Sequence, residues 1–348
     1  MGKMILKILG VMVFIVVIAY LSYSPRLKFD VLENPNKHAK HNVERKNVTP
    51  SNQDAENKPP KSGIGTWIGK DLDKLTDKFG QADRVYAYKN GFKNYVFKKH
   101  HQYYIVTVKN DIIKSVYATG KDVNVQPVKI MENGSHIFEN LSINPEPSIK
   151  VNHKRYDIEL SDDDMKTQAL VKFGKNYAQI YIDQRSNKIM AVRFLDSEAL
   201  VNFKPYQTVA ASNEEELKNK HDALPYEQNA NQLMTLYETT NEMRKLKGLE
   251  PLKIDNQIGH IASFNLYEAV RGGHAEFTED ALTEQLNDQN ITFTSTSQNV
   301  GSDFNDVPTL INSWLNSDIH RSRILNAKYT DMGGDVNNGY YTLIFVEK

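Results

Sequence analysis

The chain has no cysteine in 348 residues. That excludes a disulfide framework, a thiolate nucleophile and any thiolate metal site. It has no net charge either, because 43 Lys and Arg balance 43 Asp and Glu. No global basic field draws it to nucleic acid, and none is expected as a partner. Tryptophan is scarce, with only 2 residues, and Trp314 lies in a helical pattern where it reads as core. Long apolar runs are missing except for one at the start. The length is too great for a single core and calls for two folded domains plus appendages.

The one apolar run is MILKILGVMVFIVVIAYL, residues 4 to 21. Its only charge, Lys7, lies near one end and can reach the interface. Roughly eighteen such residues suffice to cross a bilayer as a helix. Ser22 and Ser24 could serve a cleavage site, but Pro25 would follow the cut. Residues 1–24 therefore read as an uncleaved single-pass transmembrane anchor, with secretion after cleavage as the alternative. Flanking lysines and arginines barely discriminate orientation. The large part that follows a single early span is taken as extracytoplasmic. Residues 25–62, mostly Asn, Lys, His, Glu and Pro, read as a disordered tether.

Residues 63–205 form a mixed α+β region. Leu72, Leu75 and Phe79 share one helical face, and Gly80 ends it. NYVFKK, QYYIVTVKND and IIKSVYAT then alternate as strands around an Asn110-Asp111 turn. A similar order recurs later, with SDDDMKTQALVKF ahead of NYAQIYIDQRSNKIMAVRFLD. The region thus reads as two repeated units of a helix plus a small sheet. Asp162, Asp163 and Asp164 suit a helix start better than a calcium site. His100 and His101 read as a solvated hairpin edge, since adjacent strand residues point to opposite faces. No chemistry stands out, and the region reads as a binding or spacing module.

Residues 226–348 alternate helices and strands. Helices are expected over 228–246, 255–270, 279–286 and 306–315, and MGGDV and YYTLIFVE close the chain as strands. The pattern suits helices layered on a small sheet. Here the motifs carry a resemblance. TNEMRKLKGLEPLKID, with Asn241 and Arg244, is similar to the first helix and turn of the CAP superfamily, the SCP-like or cysteine-rich secretory proteins. Thr240 stands where that helix usually has histidine. SQNV at 297–300 and WLNSDIHRSRILN at 314–326 resemble two further family motifs in their bacterial form. The resemblance implies an α-β-α sandwich. It also implies that residues 63–205 are the CAP-associated domain that often precedes it.

The resemblance implies a cleft with two histidines and two glutamates. Carried over, the histidines are His274 and His320, and the glutamate positions hold Gln298 and Ser317. Both histidines are kept and both carboxylates are lost. A carboxylate beside imidazole would orient it and act as general base, and Gln298 cannot take a proton. His274 and His320 alone make at most a weak site for a divalent metal such as zinc, because catalytic zinc takes three protein ligands. No other cofactor is expected. Ser317 and His320 can face each other on a helical turn. A Ser–His dyad also needs an orienter and an oxyanion hole, and Ser317 reads more simply as a local helix cap. Arg321 and Arg323 are expected at a rim or paired with acids. The expected function is a membrane-tethered, non-catalytic module whose cleft binds a cell-envelope component, lipid or protein partner. The alternatives are a metal-assisted envelope hydrolase or protease using the two histidines, and a scaffold in which the middle region binds.

Overall fold

The structure, a computed structural model, describes residues 29–37, 57–209, 226–272 and 277–348. The apolar run at 4–21, most of the tether and His274 lie outside these residues. No helix among the described residues is long and apolar enough to cross a membrane.

The first short strand is β1 (Val31–Glu33). The middle domain then runs α1 (Asp73–Phe79), β2 (Arg84–Ala87), β3 (Lys93–Lys99), β4 (Gln102–Lys109), β5 (Ile112–Thr119) and α2 (His136–Asn140). It continues with β6 (Ser148–Val151), β7 (Lys154–Glu159), α3 (Asp162–Thr167), β8 (Gln168–Phe173), β9 (Asn176–Asp183), β10 (Lys188–Leu195), α4 (Ser197–Phe203) and β11 (Gln207–Val209). Asn110 and Asp111 both take positive φ, 51° and 60°, in the two-residue turn joining β4 to β5. Asn and Asp accept that conformation, and its twist matches the flanking strands. At α3, Ser161 and Asp164 form a reciprocal capping box, so the acidic run starts a helix as expected.

Seven strands form one antiparallel sheet in the order β2-β3-β4-β5-β10-β9-β8, and β11-β7-β6 form a second, smaller one. A four-stranded meander, β2–β5, and a three-stranded one, β8–β10, meet through antiparallel β5 and β10. One face of the large sheet packs on Ile64, Leu72 and Leu75. The other packs on Ile149, Ile158, Leu200 and Phe203. Burial on both faces explains why β9 and β10 are buried almost throughout instead of alternating. His100 and His101 sit in the β3–β4 turn, where positive φ at His101 brings the rings to 3.8 Å between centroids. They do not diverge as strand neighbours would.

The carboxyl-terminal domain comprises α5 (Tyr226–Leu246), β12 (Lys253–Ile254), α6 (Asn256–Gly272), α7 (Glu279–Asp288), β13 (Ser295–Ser302), α8 (Val307–Leu315), α9 (Asp318–Ile324), β14 (Asp331–Asn337) and β15 (Tyr340–Glu347). Its sheet has the order β1-β13-β15-β14-β12. Leu343 and Phe345 of β15 face α5, α8 and α9, around Trp314. Ile344 and Val346 face α6 and α7. This is an α-β-α sandwich, with helices close to their expected bounds. Gly333 is required on β14, because a Cβ there would meet the backbone of Ile258 and Gly259.

One stretch departs from the sequence reading. Residues 29–37 are not loose tether: β1 pairs in parallel with β13, with Val31 opposite Val300 and Glu33 opposite Ser302. Composition averaged over the polar stretch hides its two apolar anchors. Phe29 is buried in the α6–α7 core, and Leu32 packs, half-buried, against the core on the other face. Burying Phe29 alone stabilises docking by roughly 2 kcal/mol.

The two domains share an interface of paired charges. Arg193 of β10 reaches Asp306 at 2.9 Å and Gln179 at 2.6 and 3.0 Å. Glu238 of α5 accepts from Arg84 at 2.7 Å and Tyr103 at 2.9 Å. Asp183, at the end of β9, accepts from both Arg321 terminal nitrogens at 2.7 and 2.9 Å and also pairs with Lys247. Asn316 closes the same corner, bonding the Ile182 carbonyl and the Gln184 amide at 2.9 and 2.8 Å.

Burial pushes the Asp183 carboxyl up, but hydrogen bonds from Lys247, Ser186 and Arg321 outweigh it and hold the pKa down at about 2. Its contribution to stability is therefore present above the ordinary carboxylate value and is lost as pH falls from about 4 towards 2. Asp183→Asn leaves two cations facing each other. It is expected to cost about 3 kcal/mol in urea unfolding at neutral pH and to flatten the stability profile below pH ~4.

Candidate functional site

His320 lies in the first turn of α9, 2% exposed, and shares the core with Trp314, its ring parallel to the indole at 6.2 Å between centroids. Both ring nitrogens are engaged. Nδ1 meets Ser317 Oγ at 2.8 Å, and Nε2 meets the Asp30 carbonyl at 3.0 Å. A carbonyl can only accept, so in the neutral ring Nε2 carries the proton. Nδ1 then accepts from the Ser317 hydroxyl. Ser317 occupies the N-cap position of α9 but makes no side-chain cap bond. The cap role expected for it is thus not what the hydroxyl performs: it is turned to donate to the imidazole three residues on.

Burial, acting first, lowers the His320 pKa from its ordinary 6.5, and Arg323 adds to the effect against the opposing Asp30 carbonyl. The folded state therefore favours neutral imidazole. The stability this gives is complete above the ordinary value and is lost as pH falls below 6.5 through the lowered one.

Gln298 is buried on β13 and donates its amide to Thr342 Oγ1 at 2.6 Å. Its neighbour Asn299 donates to the His320 carbonyl at 3.0 Å. Successive strand residues face opposite sides, so Gln298 points to the layer away from α9. Of the residues assigned to the cleft, the structure brings Ser317 and His320 together, directs Gln298 elsewhere, and leaves His274 outside the described residues.

The two arginines of the motif part company. Arg321 crosses to Asp183 in the middle domain. Arg323 stays within its own domain, donating to the Gln298 carbonyl at 2.8 Å and lying 4.9 Å from the Phe29 ring centroid. Asn241 and Arg244, the pair that carried the first motif, are structural. Asn241 clips both backbone groups of Leu252, and Arg244 binds the carbonyls of Glu250, Ile324 and Asn326. Thr240 is fully buried and its hydroxyl has no partner among the described residues. The contribution of Asp30 could not be read from the motifs, since it is a main-chain atom of a distant segment.

His320, as it is placed, has no lone pair free for a metal. A metal ion needs a ring-nitrogen lone pair. On His320 one is taken by Ser317 and the other nitrogen is protonated towards Asp30. No group of three or more His, Asp or Glu residues that could hold a metal occurs among the described residues. An open groove of about 430 Å³ lies elsewhere, on the middle domain. There Lys114 is already neutralised by Asp196 and Glu198.

Nitrogen-15 spectra of the imidazole are expected to show His320 as the single neutral tautomer with the proton on Nε2, persisting below pH 6.5. His320→Ala is expected to cost about 2 kcal/mol of stability through lost packing and hydrogen bonds.

Comparison with known proteins follows this division. Residues 68–206 match the CAP-associated N-terminal family and residues 237–346 the cysteine-rich secretory protein family. The solved structure of a cysteine-rich secretory protein from Staphylococcus aureus subsp. aureus Mu50 is 58% identical, with a TM-score of 0.83, over 93% of this chain and 100% of that one. An extracellular protein containing an SCP domain from Bacillus anthracis str. Ames is 25% identical, with a TM-score of 0.74, over 88% of this chain and 100% of that one. The Bacillus subtilis (strain 168) protein YlbC, named as an uncharacterized membrane protein, is 27% identical over 83% of this chain and 85% of its own length. Fold, motifs and relatives agree: the chain belongs to the cysteine-rich secretory protein (CAP) family in its bacterial form, with a CAP-associated domain ahead of the CAP domain.

Proposed function

We propose that the protein is an extracytoplasmic module, held to the membrane by residues 4–21, whose CAP domain binds a cell-envelope component, lipid or protein partner without catalysing a reaction. The observation that carries this is His320. Its two nitrogens are fixed by a serine hydroxyl and a main-chain carbonyl, and among the described residues neither meets a carboxylate that would make it a base. Gln298 and Ser317, at the family's acidic positions, act as hydrogen-bonding groups. The names of two relatives, one a membrane protein and one extracellular, support the location. The paired meanders of the middle domain support its reading as two repeated units serving as spacer and support.

Calorimetric titration of zinc into the intact protein, beside His274→Ala and His320→Ala, separates this reading from a metal-assisted hydrolase. The expected result is no binding tighter than about 100 μM and no difference between variants. One equivalent bound at low micromolar Kd and abolished in both variants would overturn the proposal.

A further inference from the structure

We infer that the edge of β13 beside His320 is a docking site for an extended polypeptide, held in the resting molecule by the chain's own residues 29–36. This deepens the binding reading of the cleft by naming the class of ligand.

The first observation is the edge itself. Exposed edge strands are ordinarily protected by shortness, charge or proline. At the far edge of the sheet, β12 has two residues and carries Lys253. β13 has eight, STSQNVGS, with neither charge nor proline. Its sequence is that of a strand meant to be covered. Gly301 seats it closely on α8, where a Cβ would meet Leu310 at 2.5 Å.

The second observation is that the occupant is recognised as peptide ligands are, by main-chain bonds plus pockets for particular side chains. The Phe29 amide donates to the Phe277 carbonyl at 2.6 Å, and the Asn34 amide to the Ser302 carbonyl at 3.0 Å. The Phe29 ring fills the α6–α7 core under Arg323. His320 Nε2 takes the Asp30 carbonyl, a group every peptide offers. Asn34 bonds the Asp303 carbonyl at 3.1 Å. Asn36 crosses to the middle domain, reaching Asp164 at 2.9 Å and the Pro205 carbonyl at 3.1 Å. The site therefore reads an aromatic residue, an extended trio and an Asn-Pro-Asn turn. His320 serves as the donor that sets the register.

The third observation is economy of attachment. The segment contributes only three residues to the sheet and buries few large side chains. Such elements open at lower free energy than the core they cover. A strand of the same chemistry from a partner would pair with β13 once this one leaves.

The test uses the full chain with Phe29→Ser and Leu32→Ser, which weaken the occupant and leave the acceptor intact. A fluorescent synthetic peptide of residues 27–36 is titrated against it and against the unmodified chain. The double variant is expected to bind the peptide at micromolar Kd, and the unmodified chain at least about tenfold more weakly, because a tethered segment competes at high effective concentration. A peptide carrying Ser in place of Phe29 should not bind. No binding to a variant that retains the native circular dichroism, or equal binding to both chains, would overturn the inference. Hydrogen exchange in the unmodified chain gives a second reading. The Leu32 and Asn34 amides should exchange at least about 100-fold faster than that of Ile344, and exchange only with the whole core would overturn it. A dimer of the unmodified chain that exchanges this strand between copies would overturn the arrangement within one chain. A failed peptide titration removes the polypeptide ligand alone, whereas zinc binding at the histidines removes the non-catalytic reading.

Discussion

The Asp183 carboxylate, shut off from solvent, holds two cations from the opposite domain. Burying an ion is expensive unless partners surround it, so this corner tolerates little displacement. Arg321, which it binds, follows His320 directly in α9. The carboxylate of the middle domain thus fixes the helix on which His320 rides. Arg193 with Asp306 does the same for α8, because Asp306 is both the ion-pair partner and the N-cap that accepts from Thr309. The helices around His320 in one domain are held in place by charges belonging to the other.

This arrangement changes how the family motif is understood in this chain. In WLNSDIHRSRILN, Trp314 is core, Asn316 and Arg321 bind the neighbouring domain, and Ser317, His320 and Arg323 turn to one another, to β13 and to the Asp30 carbonyl. A compact motif can serve two surfaces because a short helix presents successive residues to different sides. The same holds at α5, where Asn241 and Arg244 bind loops of their own domain while Glu238 faces Arg84 and Tyr103.

Much of the fold was legible in the sequence, because strands and amphipathic helices impose periods that survive any context. The helix over 279–286, the Asn110-Asp111 turn and the acidic start at Asp162 all follow from local rules. The seat of β1 was not legible. Its neighbours are polar, and its binding depends on a partner strand more than 250 residues away. The pairing of Ser317 with His320 was readable from spacing. The engagement of Nε2 was not, since a main-chain carbonyl leaves no trace in residue type. Arg321 was assigned to a rim or an acid partner, and only the folded chain identifies that acid as Asp183.

The paired charges also bear on how such a protein is inherited. An interface of apolar contacts can be approximated by many surfaces, but Arg193, Asp306, Asp183 and Arg321 each need a counter-ion at a fixed place. A CAP domain transplanted without its companion would expose Asp306 and Arg321 to water with their partners gone, and a foreign companion would bury them unpaired. Recombination between genes would break such pairs in one step, whereas point changes would have to come in twos. The two domains are therefore expected to travel through evolution as one unit, with substitutions at these positions correlated across the boundary.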